Sequence, residues 1–127
     1  MIAVDTSVWV SALRGGPRST AAVLTPLLDA DEVLLPLPVR IELLAGVAAK
    51  DRGPLRRTLA GLPVVRPTDH TWATVENWTM RAAEAGQRFA LTDLLIAALA
   101  DELGALVWSL DKDFDRLATL RLVHLYG

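Results

Sequence analysis

The chain has 127 residues, of which 52% are hydrophobic and 22% are charged, and its formal net charge is −2. This composition predicts one domain over residues 1–127 with a sizeable core, and it excludes a disordered chain and a strongly basic nucleic-acid-binding protein. The absence of cysteine excludes disulfides, thiolate metal sites and cysteine nucleophiles, and it fits a cytoplasmic protein. We expect no signal peptide and no membrane span, because the longest apolar stretch is too short to cross a bilayer.

The first half of the chain alternates short apolar segments with helical patterns. Residues 1–4 predict a buried strand, and residues 7–14 predict a helix that Gly15, Gly16 and Pro17 stop. The next predicted elements, in chain order, are a helix over about 20–30, a strand at 32–35, a helix over about 38–49 with proline near its start, a short helix at 55–60 and a weak strand at 63–65.

The second half continues the alternation. Thr68 or Asp69 can cap a helix that ends at Gly86. The apolar face of that helix holds Trp72, Val75, Trp78, Ala82 and Ala85. Residues 91–103 predict a helix that is apolar nearly all round and therefore buried, and strands are predicted at 105–108 and 122–125. Strands that alternate with helices indicate an α/β fold, with a central parallel sheet of four to five short strands flanked by helices.

Asp5 directly follows the first predicted strand. In parallel α/β sheets, ligands bind beyond the carboxyl ends of the strands. Asp5 is therefore either a functional group at that edge or simply the cap of the helix that begins near Ser7, and the residue alone does not separate the two readings.

Glu42 and Asp93 also lie in apolar surroundings. Glu42 has no charged neighbour three or four residues away on its helix, and by itself it is best read as an acid that emerges into water. Asp93 is the only charge in FALTDLLIAALA. Asp93 can be read as a first-turn acid that complements the helix dipole, but the dipole contributes about 1 kcal/mol at most, whereas burial of an unpaired carboxylate costs several. A partner cation would resolve the conflict.

The segment WSLDKDFDRL places Asp111 and Asp113 after the strand that ends at Trp108. Its acids resemble the opening of an EF-hand loop, but Arg116 stands where glycine is needed and Leu122 where glutamate is needed. Asp111 or Asp113 can also cap the turn before Phe114.

Four acids, namely Asp5, Glu42, Asp93 and Asp111, would then share one end of the sheet. Two like charges about 4 Å apart repel by roughly 4 kcal/mol at an effective dielectric near 20, so such a group must bind cations or raise some of its pKa values. Oxygen ligands without cysteine or histidine favour Mg²⁺ or Mn²⁺. His70 and His124 are too few and too far apart in sequence to indicate zinc, and we expect them to serve surface or packing roles.

The same residues carry a family resemblance. DTS at 5–7 follows the opening strand, RIEL occupies 40–43, DLLIAALA occupies 93–100 and SLDKDF occupies 109–114. In this order, the set resembles a PIN-domain ribonuclease, and more narrowly a VapC-type toxin of a type II toxin–antitoxin system.

The resemblance implies a PIN-like three-layer α/β sandwich that hydrolyses RNA with Mg²⁺ or Mn²⁺. It implies that Asp5, Glu42, Asp93 and Asp111 are catalytic and that Asp5, Asp93 and Asp111 bind metal. Thr6 or Ser7, together with Ser109 and Asp113, match supporting positions. It also implies three partners: RNA, a cognate VapB-type antitoxin and a second copy of the chain.

Arginines supply eleven of the thirteen basic residues. Arg52, Arg56, Arg57 and Arg66 would form a phosphate-binding stripe, although a solvated helix surface explains them equally well.

Other functions fit the sequence less well. A catalytically silent RNA- or protein-binding module of the same fold is the main alternative, and the intact set of four acids argues against it. A receiver domain would carry an acidic pair after its first strand, where Val4 precedes Asp5, and a haloacid-dehalogenase-type phosphatase would carry an acid at Ser7. Neither a P-loop nor a serine-hydrolase elbow is present.

Overall fold

The computed structural model describes residues 1–15 and 18–127, and within them it contains four strands and seven helices. They are, in chain order, β1 (Ile2–Val4), α1 (Thr6–Leu13), α2 (Arg18–Asp29), β2 (Val33–Pro36), α3 (Leu37–Gly46), α4 (Ala49–Leu59), β3 (Val64–Val65), α5 (Asp69–Glu84), α6 (Leu91–Glu102), β4 (Leu106–Trp108) and α7 (Asp113–Thr119). Gly16 and Pro17, which we expected to stop the first helix, lie outside the described residues.

The strands form one parallel sheet in the order β3-β2-β1-β4. In the centre, Ile2 of β1 pairs with Val33 on one side and Leu106 on the other. All three residues of β1 are buried, as expected for a central strand with helices on both faces. The chain moves outward from β1 to β3 and then returns to β4. Crossovers between parallel strands are right-handed as a rule, and this rule places α1–α4 on one face of the sheet and α5 and α6 on the other. The predicted α/β sandwich is confirmed.

Helix α6 is the buried helix that its sequence indicates. Its seven residues from Leu94 to Ala100 are all buried, and it packs on α5, α7, β1 and β4. Its first turn, which contains Asp93, is only partly covered. Within the described ranges, no helix is both long enough and apolar enough to cross a membrane.

The buried face of α5 differs from the expected one. Thr71, Val75, Trp78 and Ala82 are buried, whereas Trp72 and Ala85, which we placed on this face, are exposed. The N-terminal cap accounts for the burial of Thr71. Thr68 caps the helix, and the backbone N–H of Thr68 donates to Thr71 Oγ1 at 3.0 Å. The hydroxyl group of Thr71 therefore has a hydrogen-bond partner, so Thr71 can be the first residue of the buried face of α5.

The helix predicted over 38–49 ends at Gly46, and the one predicted at 55–60 begins at Ala49. Val47 and Ala48 are extended and separate the two helices. Arg52 stabilises this junction, because its guanidinium donates to the carbonyl oxygens of Leu44 and Val47 at 3.1 and 3.2 Å. The sequence pattern concealed the early start of α4, because Gly53 and Pro54 are typical of a break.

The strand predicted at 122–125 is absent from the part of the chain that the structure describes. Only an isolated parallel bridge between Val107 and Leu125 remains. Val107 donates to His124 O and accepts from Tyr126 N–H, each at 2.9 Å. A left-handed backbone at Arg121 (φ 61°) precedes this segment and leaves only a short extended stretch beside β4.

Candidate metal centre

The candidate site lies where β1 and β4 end side by side. Val4 pairs with Trp108, and Asp5 N–H donates to Trp108 O at 2.9 Å. Strand order reverses at this point, because β2 and β4 lie on opposite sides of β1. Such a reversal opens a crevice at the carboxyl edge of a parallel sheet.

Asp5 is buried, with 6% of its surface exposed, and it is held by three donors. Its Oδ2 accepts from Ser109 Oγ at 2.7 Å, from Ser7 Oγ at 2.8 Å and from Ser7 N–H at 3.4 Å. Asp5 therefore caps α1, as one of the two sequence readings predicts, and it also lies at the carboxyl edge of the sheet.

The two serines connect the ends of β1 and β4. Ser7 Oγ accepts from Leu110 N–H at 3.0 Å and lies 3.2 Å from Ser109 Oγ. Ser109 Oγ accepts from Asp111 N–H at 3.0 Å. The hydroxyl groups thus fix the loop that carries Asp111 relative to Asp5.

Glu42 comes to the same region from α3. Its Oε1 accepts from Thr6 Oγ1 at 2.9 Å, although Glu42 itself is exposed. Thr6 precedes Ser7 on α1. The hydroxyl group of Thr6 binds the carboxylate of Glu42, and that of Ser7 binds the carboxylate of Asp5.

Three carboxylates form the geometric centre of the site. Asp93, Asp111 and Asp113 each offer an oxygen, and these oxygens lie within 4.8 Å of one another. Burial, together with the charges of Asp5, Asp111, Asp113 and Glu42, raises the pKa of Asp93 to about 6. The structure therefore gathers five carboxylates into one electrostatic group: Asp5 between β1 and α1, Glu42 on α3, Asp93 on α6, Asp111 in the β4–α7 loop and Asp113 at the start of α7.

Arg116 is the residue that sequence reasoning missed. Its Nη2 lies 2.9 Å from Asp113 Oδ1, and this is the single ion pair found among the described residues. The spacing of three residues on a helix was the available signal, since such pairs face each other.

The donor set fits a hard divalent cation. The three converging groups are all carboxylates, and in the described part of the chain Asp5, Glu42, Asp93 and Asp111 have no ion-pair partner. Mg²⁺ and Mn²⁺ prefer such oxygen ligands, and an ion would relieve the repulsion that raises the pKa of Asp93.

The remaining sequence candidates lie apart from this group. Arg56, Arg57 and Arg66 are exposed, and Arg52 is engaged at the α3–α4 junction. His70 and His124 are both exposed.

Two concavities flank Glu42. A groove of about 560 Å³ lies between α1, α3 and α4, lined by Trp9, Leu43, Val47 and Leu55 among others. Within the described chain, Trp9 Nε1 is the one buried side-chain polar atom without a hydrogen-bond partner. The second concavity, of about 330 Å³, includes Ile41 and Trp72, which are 58% and 43% exposed.

Comparison with known proteins gives consistent matches over nearly the full length. The model of the PIN domain matches residues 2–120. VapC ribonuclease Mb1587 of Mycobacterium bovis is 33% identical over 125 residues, covering 94% of this chain and 93% of that protein. Ribonuclease VapC18 of Mycobacterium tuberculosis is 34% identical over 122 residues, covering 92% of this chain and 87% of that protein.

Solved structures share the fold. The crystal structure of VapBC2 from Rickettsia felis bound to a DNA fragment from its promoter has a TM-score of 0.82, with 21% identity, and the match covers 99% of this chain and 98% of that one.

Proposed function

Since the chain belongs to the PIN-domain family, we propose that it is a VapC-type endoribonuclease that hydrolyses RNA phosphodiester bonds with Mg²⁺ or Mn²⁺. The observation that carries this proposal is the convergence of Asp93, Asp111 and Asp113, with oxygens within 4.8 Å of one another. Two relatives that are at least 33% identical to the chain are named as VapC ribonucleases, which supports RNA as the substrate class.

Asp93 and Asp111 would hold the cation, and Asp5 would be the third carboxylate beside it. When bound, the ion supplies an acidified water for in-line attack and offsets the charge that develops on the phosphate. Because the pKa of Asp93 is raised to about 6, a proton would compete with the cation for this carboxylate near that pH.

The remaining groups orient the site. Ser7 and Ser109 restrain Asp5 Oδ2, and Thr6 restrains Glu42 Oε1, so each acid retains a second oxygen for a water or a cation. Glu42 or Asp111 would orient the attacking water. Because these acids are positioned before the substrate arrives, little rearrangement is required at the moment of reaction.

Incubation with total cellular RNA tests this function. We expect cleavage with Mg²⁺ or Mn²⁺ and none with EDTA, and mapping of the cut sites would identify the RNA and its preferred sequence. Asp93→Asn should lower the rate at least about a hundredfold, because it removes a metal ligand. Asp101→Asn is the matched control, since it changes an exposed acid at the other end of α6. Full metal-dependent activity of Asp93→Asn would contradict the assignment.

We further propose that a VapB-type antitoxin neutralises this activity. The similar structure from Rickettsia felis is a VapBC assembly, and the groove between α1, α3 and α4 is an apolar surface next to Glu42.

The exposed apolar side chains of Ile41 and Trp72 support the proposal that a second copy covers the other concavity. The cysteine-free sequence supports a cytoplasmic setting, where RNA is available.

A further inference from the structure

Arg116 lies between the two chain segments that carry the clustered carboxylates. From α7 its guanidinium pairs with Asp113 Oδ1 at 2.9 Å. The same group donates to Gln87 Oε1 and to Arg88 O, the latter at 3.4 Å, and its Cζ lies 4.5 Å from the centroid of the Phe89 ring. One side chain therefore joins α7 to the segment that leads into α6 and Asp93.

These contacts fix the guanidinium in place. A planar group that is hydrogen-bonded at several nitrogens and stacked on an aromatic ring cannot leave Asp113 without losing the other interactions as well. Asp113 Oδ1 is thus paired with a positively charged side chain of the protein itself, that of Arg116. The neighbouring Asp111 differs, because its Oδ1 accepts only a backbone N–H, that of Asp113 at 2.9 Å, among the described contacts.

We propose that Arg116 is a positioning residue that withholds Asp113 from the divalent ion and limits the affinity of the site for it. This inference rests on the proposed metal-dependent function. The ion is then held by Asp93 and Asp111, while Asp113 acts as an anchor for α7. Two physical effects act in the same direction, because Arg116 occupies one oxygen of Asp113 and its positive charge repels a cation beside it.

Mn²⁺ binding to the purified chain, measured by titration calorimetry and by electron paramagnetic resonance, tests the inference without RNA. We expect Arg116→Met to bind Mn²⁺ roughly tenfold more tightly, the size of effect expected from removing a unit charge about 6 Å from a divalent ion in water. Asp113→Asn alone removes one negative charge at a similar distance and should weaken Mn²⁺ binding by no more than about tenfold, and it should abolish most of the gain when combined with Arg116→Met.

Arg81→Met is the matched control. Arg81 also joins two elements through a backbone carbonyl, that of Leu120 at 3.3 Å, but it contacts no acid in the described structure. The affinity of the Arg81→Met variant for Mn²⁺ should equal that of the unaltered chain. Circular dichroism would verify that each variant is folded.

The possible outcomes separate the two proposals. Unchanged or weaker Mn²⁺ binding by Arg116→Met would overturn the inference while leaving RNA cleavage by the unaltered chain as evidence for the function. If Arg116→Met does not fold, Asp113→Asn still decides, because a loss of about a hundredfold or more, well beyond the effect of one charge, would mean that Asp113 is already a ligand. Failure of the unaltered chain to bind Mn²⁺, with or without RNA, would overturn both proposals.

Discussion

Asp93 combines two environments that a carboxylate normally avoids. It is half-buried in the first turn of α6, and four other acids lie near enough to act on its charge. The positive end of the helix dipole favours the ionised form. Burial and repulsion nevertheless dominate, since they raise its pKa to about 6.

The raised pKa has a consequence for stability in the absence of metal. The unfolded chain ionises Asp93 near its usual pKa of 3.8, whereas the folded chain does so near 6. The folded state therefore binds the proton more tightly, so ionisation of Asp93 destabilises the fold above about pH 6 and has no effect below about pH 4.

We expect Asp93→Asn to be more stable than the unaltered chain at pH 7.5 in EDTA. The gain should be about 1 kcal/mol after solvent screening, or about 3 °C in melting temperature, and it should disappear as the pH falls toward 4. Differential scanning calorimetry across this range measures it. A difference that stays constant from pH 7.5 to pH 4 would contradict the raised pKa.

At the scale of elements, α3, which carries Glu42, ends at a short junction with α4. The two helices are separated by only Val47 and Ala48, and Arg52 satisfies carbonyl groups at the end of α3. Carbonyls at a helix C-terminus have no partner within the helix, so a donor from the next helix stabilises the break. Arg52, one of the arginines in the predicted phosphate-binding stripe, thus stabilises the junction between α3 and α4.

We expect Arg52→Ala to lower the free energy of unfolding by about 1 kcal/mol, since it removes two hydrogen bonds at an exposed junction. Urea denaturation would measure the change. Arg56→Ala, on the exposed surface of the same helix, is the control and should alter stability by less than about 0.5 kcal/mol. Equal stabilities of the two variants would show that the junction does not depend on Arg52.

Across the whole molecule, charge is unevenly distributed although the net charge is only −2. Five acids gather at the carboxyl edge of the sheet, whereas Arg56 and Arg57 are exposed in the last turn of α4, the helix that packs on α3. A polyanion such as RNA is repelled by the acids and attracted by the arginines. Cations at the acidic edge would therefore be needed for RNA to approach the centre.

We propose that Arg56 and Arg57 contact RNA phosphates. The logarithm of RNA affinity should fall steeply with the logarithm of salt concentration, and Arg56→Ala/Arg57→Ala should reduce this slope by about 1.4, as expected for two phosphate contacts on a single strand. Fluorescence anisotropy with the uncleaving Asp93→Asn chain would measure it. Arg81→Ala/Arg121→Ala changes one exposed arginine of α5 and one that follows α7, and it should keep the original slope. A drop equal to that of Arg56→Ala/Arg57→Ala would refute the contact of Arg56 and Arg57 with phosphate.

Patterns short in sequence predicted most of the architecture. The buried character of β1 and α6, and the position of Asp5 directly after β1, follow from apolar runs and from the alternation of strands and helices. Errors arose where a local pattern depended on a partner elsewhere. We expected the apolar Trp72 to be buried, but Thr71 is buried instead, and its hydroxyl group is satisfied by the capping box that it forms with Thr68.

The sequence alone determined that acids would meet at one edge of a parallel sheet, because strand direction and burial are encoded in runs of a few residues. Only the tertiary structure decided which groups contact these acids. Asp5 Oδ2 accepts hydrogen bonds from Ser7 and Ser109, and Asp113 pairs with Arg116. Hydrogen bonds require atoms to be placed within a few tenths of an ångström. Such placement depends on how distant segments pack, as with Ser109, which is 104 residues from Asp5.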